Sequence, residues 1–165
     1  MGNCGKPWGK LIFFNLFGGK LIMLIGEYLY SIDHKKRLSI PSKLRKELGK
    51  KIVITRGIEK CLVLYPLEEW GKLAKKLESL PTSQVDVRGF VRIMFSGAVD
   101  VGFDKLGRIL IPDYLKEYAL LKKNVFIIGL SNRIEIWDKN KWQDFRKKTE
   151  TAVGDIAERL SELGV

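Results

Sequence analysis

The chain has 165 residues, of which 45% are hydrophobic and 30% charged, a balance typical of globular domains rather than of disordered chains. No stretch approaches the roughly 20 consecutive apolar residues that a membrane-spanning helix needs. Thirty basic residues against 19 acidic ones leave a net charge of +11, which favours nucleic acid or an anionic membrane surface as the partner, unless the charge is only a generic solvated surface.

The first 22 residues, MGNCGKPWGKLIFFNLFGGKLI, do not form a signal peptide pattern, because the apolar run is short, contains Asn15 and has no small-residue cleavage site after it. The codons of Gly18 and Gly19 can contain a bacterial ribosome-binding sequence at a suitable distance before Met23. We therefore expect the native protein to start at Met23, with residues 1–22 as an unstructured leader from an upstream start codon.

Two stretches of the chain repeat each other at an offset of 71 positions: IDHKKRLSIPSKLRKEL at 32–48 and FDKLGRILIPDYLKEYA at 103–119. The identical pairs are Asp33/Asp104, Arg37/Arg108, Ile40/Ile111, Pro41/Pro112 and Leu44/Leu115. The match continues downstream after one inserted residue. Self-similarity over more than 40 residues indicates an internal duplication.

Each copy predicts the same order of elements. A strand (GEYLYSI or GAVDVGF) leads through a tight polar turn (DHKK or DKLG) into a short strand (RLSI or RILI). Pro41 or Pro112 ends that strand and opens a short helix. Two further strands follow in each copy, IVITR with CLVLY and VFIIG with RIEIW.

Helices are predicted around these units. PLEEWGKLAKKLESLP has an amphipathic helical pattern, and Ser83 with Asp86 resembles a capping box that opens the next helix. Apolar residues keep helical spacing in the last stretch of the chain as well, which predicts packing against the core. We divide the chain into a first repeat at 23–81, a connecting helix at 82–95, a second repeat at 96–148 and a C-terminal helical tail at 149–165.

A unit of four short strands and one turn of helix is too small to bury its own sheet faces. Two copies packed about a pseudo-two-fold axis would close one barrel-like sheet. The predicted fold is therefore α+β: a β-barrel of two tandem repeats with peripheral helices.

The doubled Asp-x-x-x-Arg turn is the candidate functional feature. An Asp that opens a tight turn can accept backbone N–H bonds and orient an Arg four residues later, leaving part of the guanidinium free for a phosphate or a guanine edge. The plainer alternative is an exposed salt bridge that only ties the hairpin. Two copies on a basic chain favour a nucleic-acid interface formed by Asp33, His34, Lys35, Lys36 and Arg37 with Asp104, Lys105 and Arg108.

Other classes of function receive little support from the sequence. There is no phosphate-cradling Gly-rich loop, and the single histidine, His34, and the two cysteines, Cys4 and Cys61, show no metal-type spacing. We expect no catalysis, no cofactor and no small-molecule substrate. RNA binding would need aromatic side chains on a sheet face, whereas the strand aromatics here fit a core.

The stretches GEYLYSIDHKKRLSIPSKLRKELG, RGIEKCLVLYPLEEW, FSGAVDVGFDKLGRILIP and IEIWDKNKW closely resemble the MraZ family of bacterial transcriptional regulators, from Met23 to about Phe145. The doubled Asp-x-x-x-Arg is that family's hallmark. The sequence departs from the family pattern at Lys36, where Gly often precedes the Arg, and at Leu106, where a polar residue is usual. The resemblance therefore carries no DNA contact over to Leu106, and we expect the two hairpins to act unequally.

The resemblance implies the swapped-hairpin barrel of AbrB-type regulators, with both halves in one chain. It also implies a ring-shaped homo-oligomer in the cytoplasm, associated with the nucleoid, that binds short direct repeats of double-stranded DNA. In the family these repeats lie ahead of the operon for division and cell-wall proteins, which the protein usually represses. An RNA-binding or antitoxin-type interaction protein on the same barrel stays open as the alternative.

Overall fold

The computed structural model describes residues 23–161, so the leader predicted at 1–22 lies outside the described residues. The first copy of the repeat contains β1 (Leu24–Ser31), β2 (Arg37–Ser39), α1 (Ser42–Leu48), β3 (Lys51–Arg56) and β4 (Leu62–Pro66), followed by α2 (Leu67–Glu78) and α3 (Val85–Gly97). The second contains β5 (Val99–Gly102), β6 (Arg108–Leu110), α4 (Asp113–Tyr118), β7 (Asn124–Ser131) and β8 (Ile134–Asp138), followed by α5 (Lys139–Thr151) and α6 (Val153–Ser161).

Proline and glycine set the lengths of the short elements near the turns. Pro41 and Pro112 are the N-caps of α1 and α4, with φ of −50° and −59°, and neither can donate a backbone hydrogen bond to a continuing strand. Gly49 ends α1 with a φ of +83°, a conformation that costs glycine little. The predicted strand–turn–strand–helix order is therefore present in both copies.

The two repeats exchange strands. The main sheet has the order β1-β7-β8-β4-β3-β5, and all neighbours are antiparallel. The first strand of each repeat pairs with the third strand of the other, β1 with β7 and β5 with β3, and the β4–β8 pair joins the halves. This order reads the same from both ends, as expected for a pseudo-two-fold arrangement.

The predicted α+β architecture is confirmed, but the sheet is not a closed barrel. β1 and β5 are its two edges, and β2 and β6 pair with each other in a separate two-stranded sheet. Only one isolated bridge, between Ile32 and Leu38, connects β1 with β2. The second strand of each hairpin has three residues, ends two positions before a proline and pairs with its counterpart rather than with the main sheet.

One hydrophobic core serves both repeats. Leu38 of β2 and Ile109 of β6 lie opposite each other and are fully buried, and they belong to a cluster that also includes Leu44 of α1 and Leu115 of α4. Both repeats contribute side chains to this one cluster. Burial of this shared core therefore requires both copies.

The helices outside the repeats differ from prediction in two details. The N-cap of α3 is Gln84, which makes no side-chain cap bond, so the predicted capping box of Ser83 and Asp86 is wrong. Helix α6 contains no buried residue, and Val153 and Leu160 are exposed, so its apolar stripe does not pack against the described core. No helix within 23–161 has the length and apolar character needed to cross a membrane.

We predict that Gly129→Ala destabilises the protein by about 1–3 kcal/mol through overpacking. Gly129 pairs with Gly26 between β7 and β1. A Cβ at Gly129 would lie 2.5 Å from the Ile25 nitrogen and 2.6 Å from the Leu24 carbonyl carbon, both backbone atoms. Denaturant unfolding measures the change. Gly102→Ala is the control, because a Cβ there meets nothing within 4 Å; equal stability of the two variants would contradict the packing of β1 on β7.

Candidate nucleic-acid interface

Asp33 organises the first turn through its backbone and its side chain. Its carbonyl oxygen accepts a hydrogen bond from the Lys36 N–H at 3.0 Å, which closes a four-residue turn. Its Oδ1 accepts from the N–H groups of Lys35 and Arg37, at 2.8 and 2.9 Å. The second turn repeats these bonds at Asp104, with Gly107, Leu106 and Arg108 as the donors.

The other carboxylate oxygen of each Asp holds an arginine. Arg37 donates from Nε to Asp33 Oδ2 at 2.8 Å, and its Nη2 lies 2.7 Å from the same oxygen. Arg108 binds Asp104 Oδ2 in the same way, at 2.7 Å from both nitrogens. One edge of each guanidinium is thereby fixed, and its Nη1 nitrogen takes no part in the bond to its own aspartate.

These bonds keep both carboxylates ionised. Hydrogen bonds from the Arg37 side chain and then its backbone are the main causes that lower the pKa of Asp33 to about 2. Arg108 lowers the pKa of Asp104 to about 2 in the same way. At neutral pH each pair is therefore an intact ion pair, as the Asp-x-x-x-Arg spacing predicts.

The two turns form one continuous surface. The N–H of Ile40 donates to the Gly107 carbonyl at 3.1 Å, and the N–H of Ile111 donates to the Lys36 carbonyl at 3.0 Å. Between these bonds β2 and β6 pair directly. We call the two turns together with the outward residues of these strands the hairpin face; those outward residues are Arg37, Ser39, Arg108 and Leu110.

On the hairpin face the two Asp–Arg pairs approach each other. Arg108 Nη1 lies 3.9 Å from Asp33 Oδ2, so Asp33 faces the arginines of both repeats. The sequence did not predict this contact, because it depends on the register of β2 against β6, which are far apart in the chain. The only sign of this contact in the sequence was the alignment of the two turns with each other.

The remaining predicted site residues fall into two groups. His34, Lys35 and Lys105 are exposed turn residues, as an interface with a polyanion requires. Lys36 is exposed as well, but its Nζ lies 2.6 and 2.7 Å from the two carboxylate oxygens of Asp113. The charge that Lys36 adds to the first turn is therefore balanced inside the molecule.

The structure adds one cation that sequence reasoning missed. Arg45 of α1 lies under the second turn, and a Cβ at Gly107 would collide with its guanidinium. Gly107 has a φ of +72°, and Lys36 holds the equivalent place in the first turn with a φ of +61°. The two turns thus have the same backbone conformation at this position, but different side chains pack against them.

Metal ligands and a reactive thiol are two features on which some enzymes depend. Between residues 23 and 161, no three His, Cys, Asp or Glu side chains group so that they could hold a metal ion. Cys61 is fully buried, and burial raises the pKa of its thiol to about 12. A thiol with such a pKa is not a nucleophile at neutral pH.

Comparisons with known proteins point to one family. Two consecutive segments of the chain, 23–93 and 94–163, match the family described as "MraZ protein, putative antitoxin-like". Proteins named transcriptional regulator MraZ from Acetivibrio thermocellus and Halothermothrix orenii are each 50% identical over 143 residues, which is 87% of this chain and 100% of the relative. A third, from Syntrophomonas wolfei, is 46% identical over the same length.

We predict that the two turn carboxylates titrate with midpoints near 2 in the folded protein, against about 4 in an unfolded chain. Because the folded pKa values are lowered, the stability that these groups contribute is present above pH 4 and is lost as the pH falls from about 4 to about 2. Carboxyl-carbon NMR measures the midpoints directly.

Arg37→Lys is the matched variant for this titration, since it keeps the charge and removes the fork of Nε and Nη2 that holds Asp33. The midpoint of Asp33 should rise towards its ordinary value, while that of Asp104 stays low. Midpoints near 4 for both groups in the unaltered protein would show that the ion pairs do not form in solution.

Proposed function

The chain belongs to the MraZ family of transcriptional regulators, and on that premise we propose that its hairpin face binds double-stranded DNA. The observation that carries the proposal is the pair of arginines, Arg37 and Arg108, each held by its own aspartate on one surface. A guanidinium fixed in this way loses little side-chain entropy when it binds a phosphate or the O6/N7 edge of guanine.

The residues around the arginines supply the general attraction. Each Asp–Arg pair is electrically neutral, so the pairs themselves add little to the field that attracts DNA. Lys35 and Lys105 are exposed at the turns without a carboxylate partner among the described residues, and His34 lies beside Lys35. These side chains are suited to phosphate contacts, which position a protein on the duplex, whereas the arginines would specify sequence.

A single hairpin face is too small for a specific operator. A good bidentate arginine contact discriminates between bases by about 1–3 kcal/mol. We propose that the protein assembles into a ring-shaped homo-oligomer whose faces meet short direct repeats spaced by about one helical turn. Once one subunit is bound, its neighbours bind at high effective concentration, and the weak contacts sum to a specific complex.

Exposed apolar residues away from the hairpin face support self-association. Val85 and Ile93 of α3 are 71% and 52% exposed, and Val153 of α6 is 59% exposed. A groove of about 500 Å³ beside α3 is lined by Trp142 and Phe145, among others. Apolar surface of this kind commonly marks a protein interface, and we assign it to contacts between subunits rather than to DNA.

Bound at the promoter of its own division and cell-wall operon, such an assembly would block RNA polymerase. It would work in the cytoplasm at the nucleoid, as a non-enzymatic repressor. We further propose that the strand exchange between the repeats is a form of the swapped-hairpin architecture of AbrB-type regulators, in which the hairpins of both halves combine into one DNA-binding unit.

A protein-interaction role of the antitoxin type is the second candidate, and the description of the matched family as antitoxin-like favours it. RNA binding is less well supported, because the four outward residues of β2 and β6 include no aromatic side chain on which a base could stack. The affinities of the purified chain for duplex DNA, for RNA of the same sequence and for a candidate protein partner can be compared directly.

We predict that replacing Arg37 and Arg108 with alanine weakens binding to the chain's own promoter by about 5- to 150-fold for each arginine, from about 1–3 kcal/mol per lost contact. Electrophoretic mobility shift measures the affinity. Arg146→Ala is the control, since it also breaks an exposed ion pair, with Glu27 at 2.8 Å, but lies outside the hairpin face. Undiminished binding by a folded double variant would refute the proposal.

Binding should also depend on the number of repeats and on salt. A fragment with one repeat should bind far more weakly than the intact promoter, because the gain in effective concentration is lost. The logarithm of affinity should fall linearly with the logarithm of salt concentration. Titrations by fluorescence anisotropy test both statements, and equal affinity for one repeat and several would rule out the ring mechanism.

A further inference from the structure

The hairpin face departs from its own two-fold symmetry at two positions, where the first half has a polar residue and the second half has an exposed leucine. The third residue of the first turn is Lys35, and its counterpart in the second turn is Leu106. In the paired strands the counterpart of Ser39 is Leu110. Leu106 is 69% exposed and Leu110 is 57% exposed. The second half of the face therefore presents two leucines where the first half presents an ammonium and a hydroxyl.

Both leucines lie among the arginines. Leu110 pairs directly with Arg37 across the β2–β6 ladder, and the buried Ile109 separates it from Arg108, so Leu110 and Arg108 point outward together. Leu106 is two residues before Arg108, and its N–H is bound to Asp104 Oδ1 at 2.9 Å. The backbone of each leucine is therefore fixed beside a guanidinium.

Exposed leucines at this place gain nothing from the folded chain itself. Burial of apolar surface stabilises by about 0.8 kcal/mol per methylene group, and these two side chains forgo most of it. A duplex offers apolar partners mainly as the C5-methyl groups of thymine, which lie in the major groove beside the edges that arginine reads. The two leucines of the second half thus match thymine, while the arginine beside them matches phosphate or guanine as its counterpart in the first half does.

We propose that Leu106 and Leu110 contact thymine methyl groups, so that the second hairpin reads thymine at one end of each repeat. The proposal rests on DNA binding by the hairpin face. It also explains how a pseudo-two-fold unit recognises direct repeats: a symmetric reader selects palindromic sites, whereas a face with exposed leucines in one half only has a direction on the DNA.

The experiment compares promoter duplexes that contain thymine with duplexes in which deoxyuridine replaces it, which removes only the methyl groups. Full-length protein should bind the deoxyuridine duplex about fourfold more weakly for each contacted methyl group. Single replacements should locate the sensitive thymines at the same end of every repeat. Fluorescence anisotropy gives the affinities, and light scattering checks that the assembly is unchanged.

Leu106→Lys and Leu110→Ser give the second half the residues of the first, Lys35 and Ser39, and so provide variants drawn from the chain itself. In both variants the difference in affinity between the thymine and deoxyuridine duplexes should shrink. Together with the unaltered protein, these measurements form a double-mutant cycle between the leucine side chain and the methyl group. Leu67→Ser is the control, because Leu67 is 56% exposed at the start of α2 and is not part of the hairpin face. It should keep the full difference.

Three results would overturn the inference. In the first, the unaltered protein binds the thymine and deoxyuridine duplexes equally and loses that binding when Arg37 and Arg108 are replaced. This result would support DNA binding by the hairpin face and exclude a thymine contact. A change in assembly size in the leucine variants, with the thymine preference unchanged, would assign the leucines to a subunit contact. Failure of the unaltered protein to bind promoter DNA at all would refute the proposed function together with the inference.

Discussion

The reciprocal hydrogen bonds between the two turns are the interaction on which the rest of the structure depends. Each turn offers the carbonyl of its fourth residue, Lys36 or Gly107, to the backbone of the other repeat. These bonds hold β2 against β6, bury Leu38 and Ile109 between them, and bring Asp33 within reach of Arg108. A single hairpin would present only one arginine. The surface that carries both arginines forms only when the two hairpins pair, which is a physical reason for the duplication.

Duplication within one chain lets the two halves differ, which identical subunits cannot do. The left-handed position of the first turn holds Lys36, paired with Asp113, while the second holds Gly107 over Arg45. Exposed ion pairs contribute little to stability, so the main effect of the Asp–Arg pairs is to fix the direction of each guanidinium. The two halves share this positioning and differ in the side chains around it.

Local features of this fold could be predicted from the sequence, and contacts between the repeats could not. Proline, the Asp-x-x-x-Arg spacing and alternating apolar residues act within a few positions, and they gave the repeat, its strands and the ion pairs. The open sheet, the approach of Arg108 to Asp33 and the pairing of Lys36 with Asp113 depend on strand register between the two repeats, whose paired segments lie far apart in the chain. The exposed stripe of α6 has a helical pattern that does not tell a core partner from a second subunit.

A structure of the full-length protein bound to a promoter duplex tests the central claim most directly. The account predicts that both turns of one chain touch the same stretch of DNA, with guanidinium nitrogens of Arg37 and Arg108 within about 3.2 Å of phosphate or base-edge acceptors. A complex in which the duplex lies against α5 and α6, with both arginines facing solvent, would contradict it.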